Sequence, residues 1–431
     1  MRTTLALARS FDRPVRLLLV NQLTINTGFY MLMPYLAGHL STTLALPAAL
    51  VGLILGVRNL SQQGMFLIGG TLADRLGCKP PIVAGCALRT VAFALLGVAD
   101  SLPVLLIASG LTGLAGALFN PAVRAYLAAE AGPRKVEAFA AFNAFYQLGI
   151  LIGPLIGLLL NAMAFSLVCL TAAAMFAALT VAQVRALPAR APSCPDRRRQ
   201  RPGVLHGWRT ALTNRPFLLF SLAMTGSYVL GFQVYLGLPL EIRRVSASEL
   251  GVTGVFVVSA VLTVTLQARL TAWAQARRRP SQAIALGLAL MGASFVPVAL
   301  SAPWLKGVTT VPGPAVWVLT LAPALATAAL LSVATMIIYP FEMTTIAAFG
   351  GHHAVGTYYG LYSTLAGIGI AAGNLLTGWA LDAGARTGLP ALPWLALTVI
   401  GLLCAAAVAA LDRAAGLPHP AQAAVAPAGA P

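Results

Sequence analysis

The chain has 431 residues, 58% of them hydrophobic and 9% charged, with a mean hydropathy of +0.83. A soluble protein is about 25% charged, so this composition excludes an ordinary soluble domain. The formal charge of +17 would suggest a polyanion partner, but the apolar excess argues against one, and a polytopic membrane protein is the starting point. The cysteines Cys78, Cys86, Cys169, Cys194 and Cys404 form no C-x-x-C and have no metal-like spacing with the five histidines. Neither a disulfide framework, a metal site nor a cofactor is expected.

Crossing the hydrocarbon takes about 20 apolar residues. On that ruler the chain holds segments at 14–37, 48–69, 81–99, 103–127, 139–160 and 165–184, then at 216–240, 251–270, 282–301, 315–342, 355–380 and 392–411. The reading is an all-α integral membrane protein of twelve transmembrane helices. Its six-helix halves occupy 1–184 and 216–412, with a basic linker at 185–215 and a disordered Ala/Pro-rich tail at 413–431. The first segment shows no convincing cleavage site and is read as a retained helix. With the N-terminus in the cytoplasm, 22 basic residues fall inside and four outside (Arg243, Arg244, Lys306 and Arg386), while Arg58 and Arg89 lie within helices. This is the positive-inside pattern of a multi-pass cell-membrane protein with both termini cytoplasmic.

Along the chain, the second segment reads GVRNLSQQG and carries Arg58, Asn59, Gln62 and Gln63 where apolar residues are expected. Arg58 and Gln62 stand one turn apart on one face, with Asn59 and Gln63 on an adjacent one. An arginine at the bilayer centre costs about 2.5–3.5 kcal/mol on insertion scales. Two readings stay open: an arginine lining a wet cavity, or one pinned by helix–helix hydrogen bonds. The stretch that follows, GGTLADRLGCKP, combines the small residues Gly69, Gly70 and Gly77, which let helix ends approach closely, with the fixed charges Asp74, Arg75 and Lys79. The fifth segment presents Gly149, Gly153 and Gly157 at intervals of four, with Pro154 between them. That is a flat face for close helix packing. The Gly149–Gly153 spacing recurs in the eleventh segment as Gly369 and Gly373, so the halves look related.

G-x-x-x-D-R-x-G-x-K/R after the second of twelve segments resembles the signature loop of the major facilitator superfamily, although Cys78 stands where the family has a second basic residue. The resemblance implies two six-helix halves around a midplane substrate path, with Asp74 acting in a gating loop. G-x-x-x-G-P-x-x-G in the fifth segment resembles the antiporter motif of the superfamily's drug:proton exporters. It implies efflux of drugs or other amphipathic small molecules by proton antiport. Arg89, Gln233 in the seventh segment, and Pro340 with Glu342 in the tenth strengthen the likeness to bacterial members of that branch. Ser109 stands where such exporters commonly have an arginine, and Asn120 and Tyr146 where closer relatives tend to have acids. The proton machinery is therefore thin.

Proton antiport needs a group that changes charge as access alternates. Ten of the eleven acids fall in end segments or the signature loop, which leaves Glu342 as the coupling candidate. The bland alternative is a boundary carboxylate facing water. The candidate substrate cavity combines Asn26, Arg58, Gln62, Gln63, Arg89, Tyr146, Gln147, Tyr228 and Gln233, with Phe29, Tyr30, Tyr235 and Tyr362 among the possible aromatic lining. The expected partners are a small-molecule substrate, protons and membrane lipids, for a monomer that binds no nucleic acid. A dedicated exporter of one metabolite, natural product or metallophore is the alternative, an uptake symporter a more distant one. No nucleophile, metal or catalytic motif supports an enzyme.

Overall fold

The computed structural model describes residues 10–98, 100–131, 134–188, 204–246, 249–305, 314–350, 355–415 and 417, and among these every regular element is helical. Twelve crossings are formed by α1 (Arg13–Gly38), α2 with α3 (Ala48–Gly64, Phe66–Leu76), α4 (Lys79–Val98), α5 (Leu102–Glu130), α6 (Lys135–Asn161) and α7 (Phe165–Ala186) in the first half. The second half has α9 with α10 (Arg215–Gly231, Gly237–Ser246), α11 (Glu249–Arg277), α12 with α13 (Pro280–Ala293, Val296–Ser301), α14 (Pro314–Gly350), α15 (Val355–Thr387) and α16 (Leu392–Ala415). Between the halves lies α8 (Val204–Thr213), so the predicted linker is not wholly irregular.

Local chemistry accounts for these elements. Prolines occupy the first turn of α1, α5, α9, α12 and α13, where no N–H is needed. Asn214 caps α9 by accepting from the Phe217 N–H at 3.2 Å. Ser and Thr within the crossings turn back on their own helix, as Thr112 does on the Ala108 carbonyl (2.9 Å) and Ser221 on that of Phe217 (2.8 Å). Such self-bonding removes a polar group from the hydrocarbon.

Ten helical stretches among the described residues are long and apolar enough to cross a membrane by themselves. The other two crossings fall short for a physical reason. The first carries Asn21, Gln22 and Asn26, all buried, and the second is broken at Met65 into pieces of 17 and 11 residues. The continuous helix expected at 48–69 is corrected accordingly. Irregular joints also interrupt the seventh and ninth crossings, at Phe232–Val234 and at Ser294–Phe295. A further correction concerns the tail. α16 runs to Ala415, and Leu417 is buried, its N–H directed at Asp412 Oδ1.

Two hydrophobic cores correspond to the two halves. One gathers buried residues between Phe11 and Leu187, the other between Ala211 and Leu417. Tyr30 of the first half belongs to the second core, Leu236 of the second half to the first, and Phe29 and Tyr235 pack against both. Those four residues mark the boundary where the halves meet.

Glycine sets how closely the helices approach. A Cβ on Gly149 would lie 2.6 Å from Asn26 Cβ, and one on Gly153 would lie 2.8 Å from the Thr27 carbonyl, so α6 lies backbone-close on α1. Gly369 and Gly373 lie instead against the side chains of Thr225 and Val229 of α9. The repeated sequence spacing therefore serves equivalent helix pairs in the two halves. A third seam, between α2 and α15, joins the halves themselves through Gly52, Gly56, Gly367 and Gly378.

Candidate functional site

The signature stretch is mostly helical: α3 contains Asp74 and Arg75, and only Gly77 and Cys78 separate it from α4. Gly77 has φ 84° and ψ 165°, in the left-handed region that favours glycine. Lys79 Nζ donates to the carbonyls of Val184 (3.0 Å) and Leu187 (2.6 Å). It thus places a cation at the C-terminal, negative end of α7. Gly70 has open space around its Cα. The side chains of Asp74 and Arg75, the Arg197–Arg199 run, Lys306, the His352–His353 pair and the end of the tail lie outside the described residues.

The end of the bundle that holds the α1–α2 turn is fastened across the halves. Asp382, near the end of α15, accepts from the Ala48 N–H with Oδ1 (3.0 Å) and from the Ala49 N–H with Oδ2 (2.9 Å). A carboxylate there satisfies two of the orphan donors of α2 and complements its dipole. Tyr35 Oη donates to the Pro154 carbonyl at 2.6 Å and lies 2.6 Å from the Thr253 hydroxyl of α11. The Arg243 guanidinium fills the space beside Gly38 and pairs with Glu249 at 2.6 Å. Nearby is a cavity of about 440 Å³ whose walls include His39, Asp100, Phe165 and Glu249. His39 stacks on Phe165, with ring centroids 3.9 Å apart. Burial pushes its imidazole down from the ordinary range, against the opposing pull of Asp100.

Deeper in the bundle, Glu342 of α14 is 4% exposed. Its Oε1 accepts from Tyr362 of α15 at 2.6 Å and from Tyr228 of α9 at 2.9 Å. Three helices of the second half thus converge on one carboxylate. Pro340 lies two residues before it, inside α14, and removes the N–H that would bond the Met336 carbonyl. A boundary carboxylate open to water is not what the structure shows.

In the first half, Arg58 is 6% exposed and donates to Asn59 Oδ1 (2.8 Å) and Gln62 Oε1 (2.9 Å) of its own helix. Its guanidinium carbon stands 4.6 Å from the centroid of the Phe29 ring. Arg89, also 6% exposed, has its guanidinium 5.7–5.9 Å from the rings of Phe29, Phe119 and Phe176. Each such contact is worth about 0.5–2 kcal/mol. Among the described residues, Arg58 Nε and Arg89 Nε and Nη1 find no hydrogen-bond acceptor. Phe29 packs edge-on against Tyr30 at 5.2 Å. The Tyr30 hydroxyl lies 3.2 Å from that of Tyr146 and accepts from Tyr235 of the other half at 3.4 Å.

The residues expected to line one cavity therefore separate. Arg58, Gln62, Arg89 and Tyr146 gather near the boundary between the halves, and Tyr228 stands with Glu342. Asn26 instead donates to the Gln22 carbonyl of its own helix at 2.7 Å, and its Cβ faces Gly149. Gln63 packs into the α2–α15 seam against Gly367. Gln233 is fully buried at the joint of the seventh crossing and donates to the Val229 carbonyl. Gln147 is half-buried in α6. Two structural features had not been anticipated: the Asp382 clasp and the sharing of the Phe29 ring by both arginines. Each joins residues distant in sequence, and no local pattern announces either.

The comparisons with known proteins agree with this architecture. Residues 18–374 match the family description Major Facilitator Superfamily. An uncharacterized MFS-type transporter of Mycobacterium tuberculosis (strain ATCC 25618 / H37Rv) is 48% identical over 409 residues, covering 94% of this chain and 95% of that one. The multidrug resistance protein MdtH of Yersinia enterocolitica is 32% identical over 387 residues, covering 90% and 91%. The fold is similar to that of a POT peptide transporter, with a TM-score of 0.75, 15% identity, and 95% and 99% of the chains covered. With its twelve crossings in two halves, the chain belongs to the major facilitator superfamily and is a membrane transporter, not an enzyme.

Proposed function

We propose that this protein exports amphipathic small molecules by proton antiport, with Glu342 as the coupling carboxylate. The observation that carries the reading is the burial of that acid, 4% exposed, under the hydroxyls of Tyr228 and Tyr362. A carboxylate inside a bundle is stable only if it is neutralised or well bonded. Two donated O–H groups support the ionised form, while protonation removes the charge altogether. The difference between those states is a means of tying a proton to a change of access. The likeness to MdtH, named as a multidrug resistance protein, supports a drug-like substrate.

The excess of basic residues at the end that holds the α3–α4 joint supports placing that end, and both termini, in the cytoplasm. The Asp382 and Tyr35 contacts then clasp the opposite, external end. In this reading the halves 1–184 and 216–412 rock about the α2–α15 seam, with the 185–215 linker between them. Asp74 to Lys79 serve as a gate at the cytoplasmic end, and the Gly149–Gly153–Pro154–Gly157 face keeps α6 against α1.

The test is efflux from an efflux-deficient bacterial host and from proteoliposomes carrying an imposed pH gradient. Glu342→Gln is expected to abolish gradient-driven efflux, with retained folding shown by a monodisperse gel-filtration profile. Gradient-driven efflux by that variant would overturn Glu342 as the coupling site.

A further inference from the structure

We infer that Arg58 and Arg89 form a binding site for an anionic group of the transported molecule, so that its substrates are amphiphiles bearing a carboxylate, sulfonate or phosphate. The inference rests on the reading of the chain as a small-molecule exporter and names the class of molecule.

Two guanidinium groups approach one ring, Phe29, and both side chains are more than nine-tenths buried. Among the described residues no carboxylate pairs with either. Six of the eleven acids are engaged elsewhere: Glu241 with Arg244, Glu249 with Arg243, Glu137 with Arg134, Asp382 on α2, Asp412 with Ser281, and Glu342 with its tyrosines. Buried ions are ordinarily paired, so this concentration of positive charge lacks the counter-ion that would balance it.

The donor geometry indicates what the missing ion is. Aromatic rings attract a guanidinium through their faces but leave its in-plane N–H groups free. Three of those groups, Arg58 Nε and Arg89 Nε and Nη1, are without acceptors. Unsatisfied guanidinium N–H donors are each the complement of a carboxylate or phosphate oxygen. Location supplies the route, because Phe29 packs against both cores and neighbours the Tyr30–Tyr146–Tyr235 hydroxyl cluster that crosses between the halves. An anion held there would stand at the boundary where the two halves meet.

The experiment measures fluorescence binding of dansylglycine, dansylamide and dansylcadaverine to the full chain in lipid nanodiscs at neutral pH, without any gradient. The three share a fluorophore and differ in charge. The wild type is expected to bind dansylglycine about tenfold more tightly than dansylamide, the equivalent of about 1.4 kcal/mol. Arg58→Gln and Arg89→Gln should bring the ratio of dansylglycine to dansylamide affinity close to one, and Arg58→Lys should keep part of the preference. Equal affinities for the three probes in the wild type, a measurement that needs no variant, would overturn the site. Undiminished preference in both glutamine variants would do the same. Chloride raising thermal stability through Arg58, with no dansylglycine preference, would show an inorganic-ion site and also reject the proposal. Preference that follows the arginines while proteoliposomes show no gradient-driven efflux would refute proton antiport and leave the anion site standing.

Discussion

Gly77 separates the steric and backbone demands of a residue. A Cβ there would meet nothing within 4 Å, yet its φ is 84°. Space is therefore not the reason for glycine; backbone conformation is. Gly77→Ala and Gly77→Asn are each expected to cost about 1–3 kcal/mol, seen as a lower melting temperature in detergent, because at φ 84° and ψ 165° asparagine is no better placed than alanine. Equal stability of the wild type and the alanine variant would show that the joint relaxes. Close approach of helix ends, expected at Gly77, is corrected by the open space there, whereas the Arg58–Gln62 pairing was legible because it follows from i, i+4 geometry. The bond from Arg58 to its sequence neighbour Asn59 was not, because a long guanidinium reaches around the helix. Nor could spacing bring Tyr228 and Tyr362 to Glu342, which takes the convergence of three helices.

At the scale of elements, apolar run length located the crossings well and their interruptions poorly. Hydropathy reports solubility in lipid, whereas the joints at Met65, Phe232–Val234 and Ser294–Phe295 are local departures inside runs that stay apolar. The N-terminus of α2 is the clearest case of an element completed from outside itself. Two N–H groups there each take one oxygen of Asp382. Asparagine can supply one oxygen and alanine none. Melting temperatures should therefore fall in the order wild type, Asp382→Asn, Asp382→Ala, the last losing about 0.5–2 kcal/mol as other cap deletions do. A ranking with Asn equal to Ala would assign the effect to charge instead of bonding.

For the molecule as a whole, the charge asymmetry is sharper than the residue count suggested. Two of the four basic residues expected outside, Arg243 and Arg244, are ion-paired to Glu249 and Glu241 at 2.6 Å. That end of the bundle is therefore closer to neutral, while the surplus positive charge remains at the other. The two halves were legible in the repeated glycine spacing; the seam that joins them was not, since Gly52 and Gly378 meet only in space. A Cβ on Gly52 would overlap the Asn374 carbonyl, and one on Gly378 that of Ala48. Gly52→Val and Gly378→Val should each lower the melting temperature by several degrees and reduce transport. Gly110→Ala, where a Cβ would meet only Val57 at 3.9 Å, should hold or slightly raise the melting temperature, since alanine favours the helix. Seam variants as stable as the wild type would show that α2 and α15 can part at no cost.

The same seam has a mechanical consequence. Where Gly52, Gly56, Gly367 and Gly378 lie, smooth backbone replaces interlocking side chains. Two surfaces without teeth can turn on each other without first unlocking rotamers, as a journal turns in a plain bearing. In the rocking proposed above, resistance would reside in the contacts at the external end of the bundle, with Asp382, Tyr35 and Arg243 as the catch and the seam as the axle.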